Sequence, residues 1–142
     1  MGEFHHTLDQ KGRIIIPSTF RNELGKKFIV TRGMDGCLFL YSQKSWSVLV
    51  DKLATLPLTK KDARSFSRFF YSGASECDID KQGRINLPQN LVAFARLERD
   101  CVILGVNSRV EIWNDQIYEK VDEEMADHIS EISEKLMDFE IE

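Results

Sequence analysis

Residues Asp9-Gln10-Lys11-Gly12-Arg13-Ile14-Ile15-Ile16-Pro17 return 71 positions later as Asp80-Lys81-Gln82-Gly83-Arg84-Ile85-Asn86-Leu87-Pro88, with Asp, Gly, Arg, Ile and Pro in the same places. A repeat at one offset is read before anything else, because it makes the chain two copies of one supersecondary unit. The correspondence continues across small gaps. Phe28-Ile29-Val30 matches Cys101-Val102-Ile103, Leu38-Phe39-Leu40-Tyr41 matches Val110-Glu111-Ile112-Trp113, and Trp46 falls opposite Tyr118.

Each copy carries the same signals. Asp suits the first position of a type I turn, and Gly supplies the left-handed residue that closes a hairpin with a bulge. A short strand is therefore expected to fold back on itself at Asp-x-x-Gly-Arg, with Asp9, Gly12, Asp80 and Gly83 forming the turns. Pro17 and Pro88 end the returning strands and suit the start of a helix. Short helices follow, Ser18 to Leu24 stopped by Gly25, and Gln89 to Arg96. A second hairpin comes next in each copy. It runs from Lys27 to Tyr41 through Gly33, Asp35 and Gly36, and from Cys101 to Trp113 through Asn107-Ser108.

Helices close both copies. Ser42 is placed to cap one that runs to about Leu53, and Asn114-Asp115 to cap the other. The last helix bears Ile117, Val121, Met125, Ile129, Ile132, Leu136 and Phe139 at spacings of three and four, an apolar stripe that should pack on the body or on a neighbouring subunit. Between the copies, Thr59 and Asp62 have the spacing of a capping box. Ala63, Phe66 and Phe70 share one face of the ensuing helix, Lys60, Arg64 and Arg68 line another beside Lys61, and Gly73 ends it. The expected organisation is a first repeat at 5–47, a helical linker at 48–75, a second repeat at 76–119 and an acidic amphipathic helix at 120–142.

The formal net charge of −4 argues against a nucleic-acid binder only if charge is uniform. Residues 121–142 hold nine acidic side chains and one lysine, which leaves the first 120 residues eighteen basic and fourteen acidic side chains, a net +4. A basic body with an acidic tail is a partitioned surface. Cys37, Cys77 and Cys101 stand far apart, form no Cys-x-x-Cys pair and read as buried free thiols of a reducing compartment. No stretch approaches the roughly 18 apolar residues of a membrane span, and the first residues lack the basic start and apolar run of a secretory signal, so a cytoplasmic protein is expected.

With these motifs in place, the chain resembles the MraZ family of bacterial transcriptional regulators. The resemblance is carried by Leu8 to Pro17, by Thr31-Arg32-Gly33-Met34-Asp35-Gly36-Cys37-Leu38, by Leu58 to Arg64 and by Asp78 to Pro88. It implies an α+β fold, a pseudo-twofold double-split (swapped-hairpin) β-barrel of two tandem repeats with flanking helices, as in AbrB- and MazE-like DNA binders. It further implies a nucleoid-associated homo-oligomeric ring that binds short direct repeats in double-stranded DNA upstream of the cell-division and cell-wall gene cluster. The family's Asp-x-x-x-Arg motif maps onto Asp9 with Arg13 and Asp80 with Arg84. The family's common Lys before the Gly is Lys11 in copy one, whereas copy two has Gln82 and carries its lysine one place earlier, at Lys81.

The chemistry of these residues fits DNA. Arginine can bond guanine O6 and N7 in the major groove, and an arginine fixed by a tight turn loses less entropy on binding. Arg13 and Arg84 are the candidate readers, and Lys11 and Lys81 the candidate phosphate contacts. The same pairs could instead close the turn, Asp9 on Arg13 and Asp80 on Arg84. Lys60, Lys61, Arg64 and Arg68 suit DNA, a subunit interface or a solvated helix face. Arg32 and Arg109, near the second hairpin, could line an interface.

Catalytic patterns are missing. There is no Gly-x-Ser-x-Gly, P-loop or Gly-x-Gly-x-x-Gly, adjacent His5 and His6 point to opposite faces of a strand, and His128 lies in the acidic tail. Neither an enzyme nor a cofactor, metal or small-molecule substrate is expected. The competing class is an oligomeric scaffold or antitoxin-like module that binds protein rather than DNA.

Overall fold

A computed structural model describes residues 1–137. Eight strands and five helices alternate along the chain: β1 (Gly2–Thr7), β2 (Arg13–Ile15), α1 (Ser18–Leu24), β3 (Lys27–Arg32), β4 (Leu38–Ser42), α2 (Gln43–Ala54), α3 (Lys61–Gly73), β5 (Ser75–Asp78), β6 (Arg84–Asn86), α4 (Gln89–Phe94), β7 (Asp100–Val106), β8 (Arg109–Asn114) and α5 (Asp115–Leu136). A 3-10 turn, Met34–Gly36, joins β3 to β4.

Six strands form an antiparallel sheet in the order β1-β7-β8-β4-β3-β5, and β2 pairs with β6 in a separate two-stranded ribbon. The expected hairpin at Asp-x-x-Gly-Arg does not form. The tight turns are present, but the strands on either side part company: β1 pairs with β7, β5 pairs with β3, and the returning strands pair with each other. The ladders leading into the turns explain this. Leu8 donates its backbone N–H to Arg99 at 2.7 Å, and Ile79 donates to Lys26 at 3.0 Å, so each entering strand is held by the other copy up to the turn itself.

The registers follow the repeat. In the ribbon, Ile14 faces Ile85, with Arg13 opposite Asn86 and Ile15 opposite Arg84. At the centre of the large sheet, Leu38 faces Ile112 and Leu40 faces Val110 about the Phe39–Glu111 pair. In both places corresponding residues of the two copies exchange positions about the midpoint.

Strand alternation divides the core in two. Phe28, Val30, Leu38, Leu40, Ile103 and Ile112 point to one face of the sheet and pack with Ile14 and Ile85 of the ribbon, Phe20 of α1 and Leu91 of α4. Phe39, Tyr41, Val102 and Trp113 point to the other face, under Leu53 of α2 and Phe70 of α3. Central strands covered on both faces need apolar residues at successive positions, which accounts for the unbroken Leu38-Phe39-Leu40-Tyr41. The three thiols are buried, and burial pushes Cys77 and Cys101 up to about 11 and Cys37 higher still.

Local signals held where a specific bond was at stake. Ser42 accepts from the Ser45 N–H at 3.1 Å, Asn114 accepts from Gln116 and Ile117, and Gly25 ends α1 at φ 79°. The capping box at Thr59 and Asp62 is not made. Lys60 donates its N–H to Pro57, closing a turn through Leu58-Thr59, so Lys60 itself becomes the N-cap and has no side-chain bond. Gly73 lies inside α3 rather than in a left-handed cap, and a Cβ there would fall 2.9 Å from Arg32 Nε. On the face that Ala63, Phe66 and Phe70 share, Phe70 is buried while Phe66 is exposed and packs its ring edge-to-face with that of Phe70. α4 stops at Phe94, short of Arg96, which takes a positive φ of 53°.

Along α5, Ile117 packs against the core. The rest of the stripe leaves the body: Val121, Met125, Ile129, Ile132 and Leu136 are all exposed within the chain. Phe139 lies outside the described residues.

Candidate nucleic-acid interface

The ribbon brings the two turns together. Ile14 and Ile85 point inward, so Arg13, Ile15, Arg84 and Asn86 share the outer face. Arg13 and Arg84 are then diagonal neighbours on adjacent strands, a placement that sets Cα atoms about 7–8 Å apart.

Each turn is built around its aspartate. Asp9 Oδ1 accepts the N–H groups of Lys11 and Arg13 at 2.9 and 2.8 Å, and Oδ2 accepts Arg13 Nε at 2.7 Å. Asp80 repeats the pattern, with the N–H groups of Gln82 and Arg84 at 2.9 and 2.8 Å and Arg84 Nε at 3.0 Å. The N–H of the following arginine, with its guanidinium, holds each aspartate below the ordinary carboxylate value. Gly12 and Gly83 take φ of 82° and 80°, where a Cβ would be strained. The frames are also crossed: Ile16 N–H donates to Gly83 at 2.9 Å and Leu87 N–H donates to Gly12 at 2.8 Å, so each turn is fastened to the other copy's strand.

Both sequence readings of the arginines are thus compatible. The Asp–Arg pairs exist, and as solvent-screened surface pairs they add little to stability. They engage Nε. Among the described residues, both Nη groups of Arg13 have no partner; Nη groups are atoms with which an arginine forks onto a guanine or a phosphate. Arg84 differs, because its Nη2 also donates to Gln82 Oε1 at 3.1 Å. Lys11 and Lys81 are exposed at the turn tips.

The linker cations are not part of this cluster. α3 packs on the Phe39–Tyr41 face of the sheet, opposite the ribbon, and Lys60, Lys61, Arg64 and Arg68 are exposed there. Arg32 and Arg109 are committed within the chain. Arg32 donates to Phe69 O and Ser72 Oγ with its guanidinium over Phe69, and Arg109 pairs with the buried Glu111 over Phe39.

Three side chains beside the turns escaped the sequence reading. Ile15 and Asn86 complete the outer face, and Arg21 of α1 lies against turn two, where a Cβ on Gly83 would collide with its guanidinium. The period-2 alternation anchored on Ile14 and Ile85 carried the signal for the first two. Nothing local carried the third. Among the described residues, no group of three His, Cys, Asp or Glu is arranged to hold a metal ion, and no helix is long and apolar enough to cross a membrane.

The profile of a protein family described as "MraZ protein, putative antitoxin-like" matches this chain twice, at residues 1–69 and 70–140. A protein named transcriptional regulator MraZ, from Ligilactobacillus salivarius strain UCC118, is 54% identical over 141 residues, which cover 99% of each chain.

Proposed function

The chain belongs to the MraZ family, and on that premise we propose that it is a sequence-specific DNA-binding regulator of transcription rather than an enzyme. The observation that carries this is the outer face of the ribbon, where two turns aim Arg13 and Arg84 to the same side with guanidinium nitrogens to spare. A two-stranded ribbon is of a size to enter the major groove. The full-length relative named as a transcriptional regulator supports the same reading.

The finer parts follow from it. The ribbon and the six-stranded sheet are the two parts of a double-split barrel, and the pairing of each first strand with the opposite copy supports a swapped arrangement. The repeats are 5–47 and 76–119, joined by 48–75 and followed by 120–142. The target is a set of short direct repeats upstream of the cell-division and cell-wall genes, and the protein acts at the nucleoid of the cytoplasm. One subunit with a body of +4 is a weak ligand for DNA, so a ring that repeats the ribbon supplies affinity through effective concentration. Sedimentation of the DNA-binding species tests the ring: an obligate monomer that bound as tightly would remove it.

A second reading is favoured by one feature. The exposed stripe of α5 suits a protein partner, as an antitoxin-like scaffold requires. Gel-shift titration of wild type and Arg13→Ala, on the duplex upstream of the chain's own coding sequence at fixed salt, separates the two. Weakened binding by a folded Arg13→Ala supports DNA reading at the turns. Absence of any DNA binding by the wild type, together with a stable protein complex, favours the scaffold.

A further inference from the structure

The two turns have the same frame but not the same surroundings. Turn one has Lys11 directly before its glycine, and turn two has Gln82 there. Gln82 does not supply a cation; its amide oxygen holds Arg84. The lysine of turn two, Lys81, stands one place earlier, and the cation against its glycine comes from the other copy. Arg21 reaches across from α1, anchored by Nε donation to Ile16 O at 2.7 Å, and lays its guanidinium over Gly83. Gly83 is buried as a result, while Gly12 is only half-buried. No carboxylate pairs with Arg21 among the described residues.

The corresponding position beside turn one is Val92, whose side chain carries no charge and is partly packed into the core. There the space is open, a recess of about 480 Å³ lined by Lys11, Gly12, Leu87, Pro88 and Val92 among others. Both turns carry a lysine at the tip, Lys11 and Lys81, but the cation next to the glycine belongs to turn one's own sequence at Lys11 and is borrowed through the fold at turn two.

We propose that Arg21 is a DNA-backbone contact that takes over at turn two the phosphate-neutralising role Lys11 has at turn one. This rests on the proposed DNA reading of the turns. Fixed by Ile16 O, Arg21 holds its Nη groups against Gly83, the residue next to Arg84 in the chain, where a phosphate flanking the bases read by Arg84 would lie. A backbone contact contributes affinity without sequence preference, and its signature is salt dependence.

The test is a titration of the full chain on the upstream duplex across a salt series, comparing wild type, Arg21→Met, Lys11→Met and Arg13→Ala. Neutralising one phosphate contributes about 0.9 to the slope of log K against log salt. Arg21→Met and Lys11→Met should each lower the slope by about that amount for every subunit engaged, and Arg21→Lys should keep it. Gln82→Lys in the Arg21→Met background should restore it, since the cation then returns to the place turn one has it. An unchanged slope in Arg21→Met, while Arg13→Ala weakens binding, overturns the assignment of Arg21 alone. A loss that Gln82→Lys does not restore and that tracks a fall in melting temperature also overturns it, marking Arg21 as a support for turn two. If wild type itself does not bind, or Arg13→Ala has no effect, the DNA reading of the turns fails first.

Discussion

Turn one and turn two are nearly superimposable in their bonding and unequal in what surrounds them. Asp9 and Asp80 make the same three bonds, and Gly12 and Gly83 take φ values of 82° and 80°. Outside the frame the copies diverge. Arg13 is held at one nitrogen and Arg84 at two, Gly12 borders an open recess, and Gly83 lies under Arg21. Duplication has conserved the device that aims an arginine and changed the groups that decide how freely it can be used.

The largest consequence should appear in DNA affinity. A good bidentate contact to the right base is worth about 1–3 kcal/mol. Arg13→Ala is expected to cost about 10–100-fold in affinity, with the fold intact by circular dichroism. Arg84→Ala should cost less, because Arg84 must leave Gln82 to reach a base with both Nη groups. Equal losses in the two variants would break the claimed inequality, and no loss in either would remove the ribbon from the DNA interface.

Stability should show the second difference. A residue with a Cβ in the left-handed region costs about 1–2 kcal/mol, so Gly12→Ala and Gly83→Ala should both lower the free energy of urea unfolding by that order. Gly83→Ala should be the worse of the two. Its Cβ displaces the Arg21 guanidinium, whereas at Gly12 the nearest atom is Leu87 O at 3.1 Å. If the excess comes from Arg21, it disappears in the Arg21→Met background. An excess that persists there would assign the cost to the buried backbone of turn two.

These contrasts also mark how far the sequence could be read. The Asp-x-x-Gly-Arg repeat announced the turns, and Ser42, Asn114 and Gly25 announced helix ends, because each depends on bonds within a few residues. The pairing of the strands did not follow. An aspartate-centred turn makes the same local bonds whether its strands pair or part, so the turn alone suggested a hairpin that is not there. What separates the strands is contact with the opposite copy, at Arg99 and Lys26, and no local pattern contains that. Arg21 was missed for the same reason: it belongs to copy one in sequence and to turn two in space. At Gly73 the residue type was legible but its purpose was not, since close approach by Arg32, rather than a left-handed cap, excludes a side chain.

The smallest effect should be one on which the two turns agree. Both aspartates have folded-state pKa values below the ordinary 3.8, first through the N–H of the following arginine. A depressed carboxylate contributes stability that is present above its unfolded value and lost as pH falls through the folded one. The acid limb of the stability profile, below about pH 4, should therefore flatten in Asp9→Asn and in Asp80→Asn, measured as urea midpoints along a pH series. The two flattenings should match, because the three bonds that lower each pKa are the same in kind and nearly the same in length. An unequal response would place the asymmetry inside the turn frame itself. A matched one leaves it with Gln82, Arg21 and the recess beside Gly12, the parts that only the assembled fold brings to the turns.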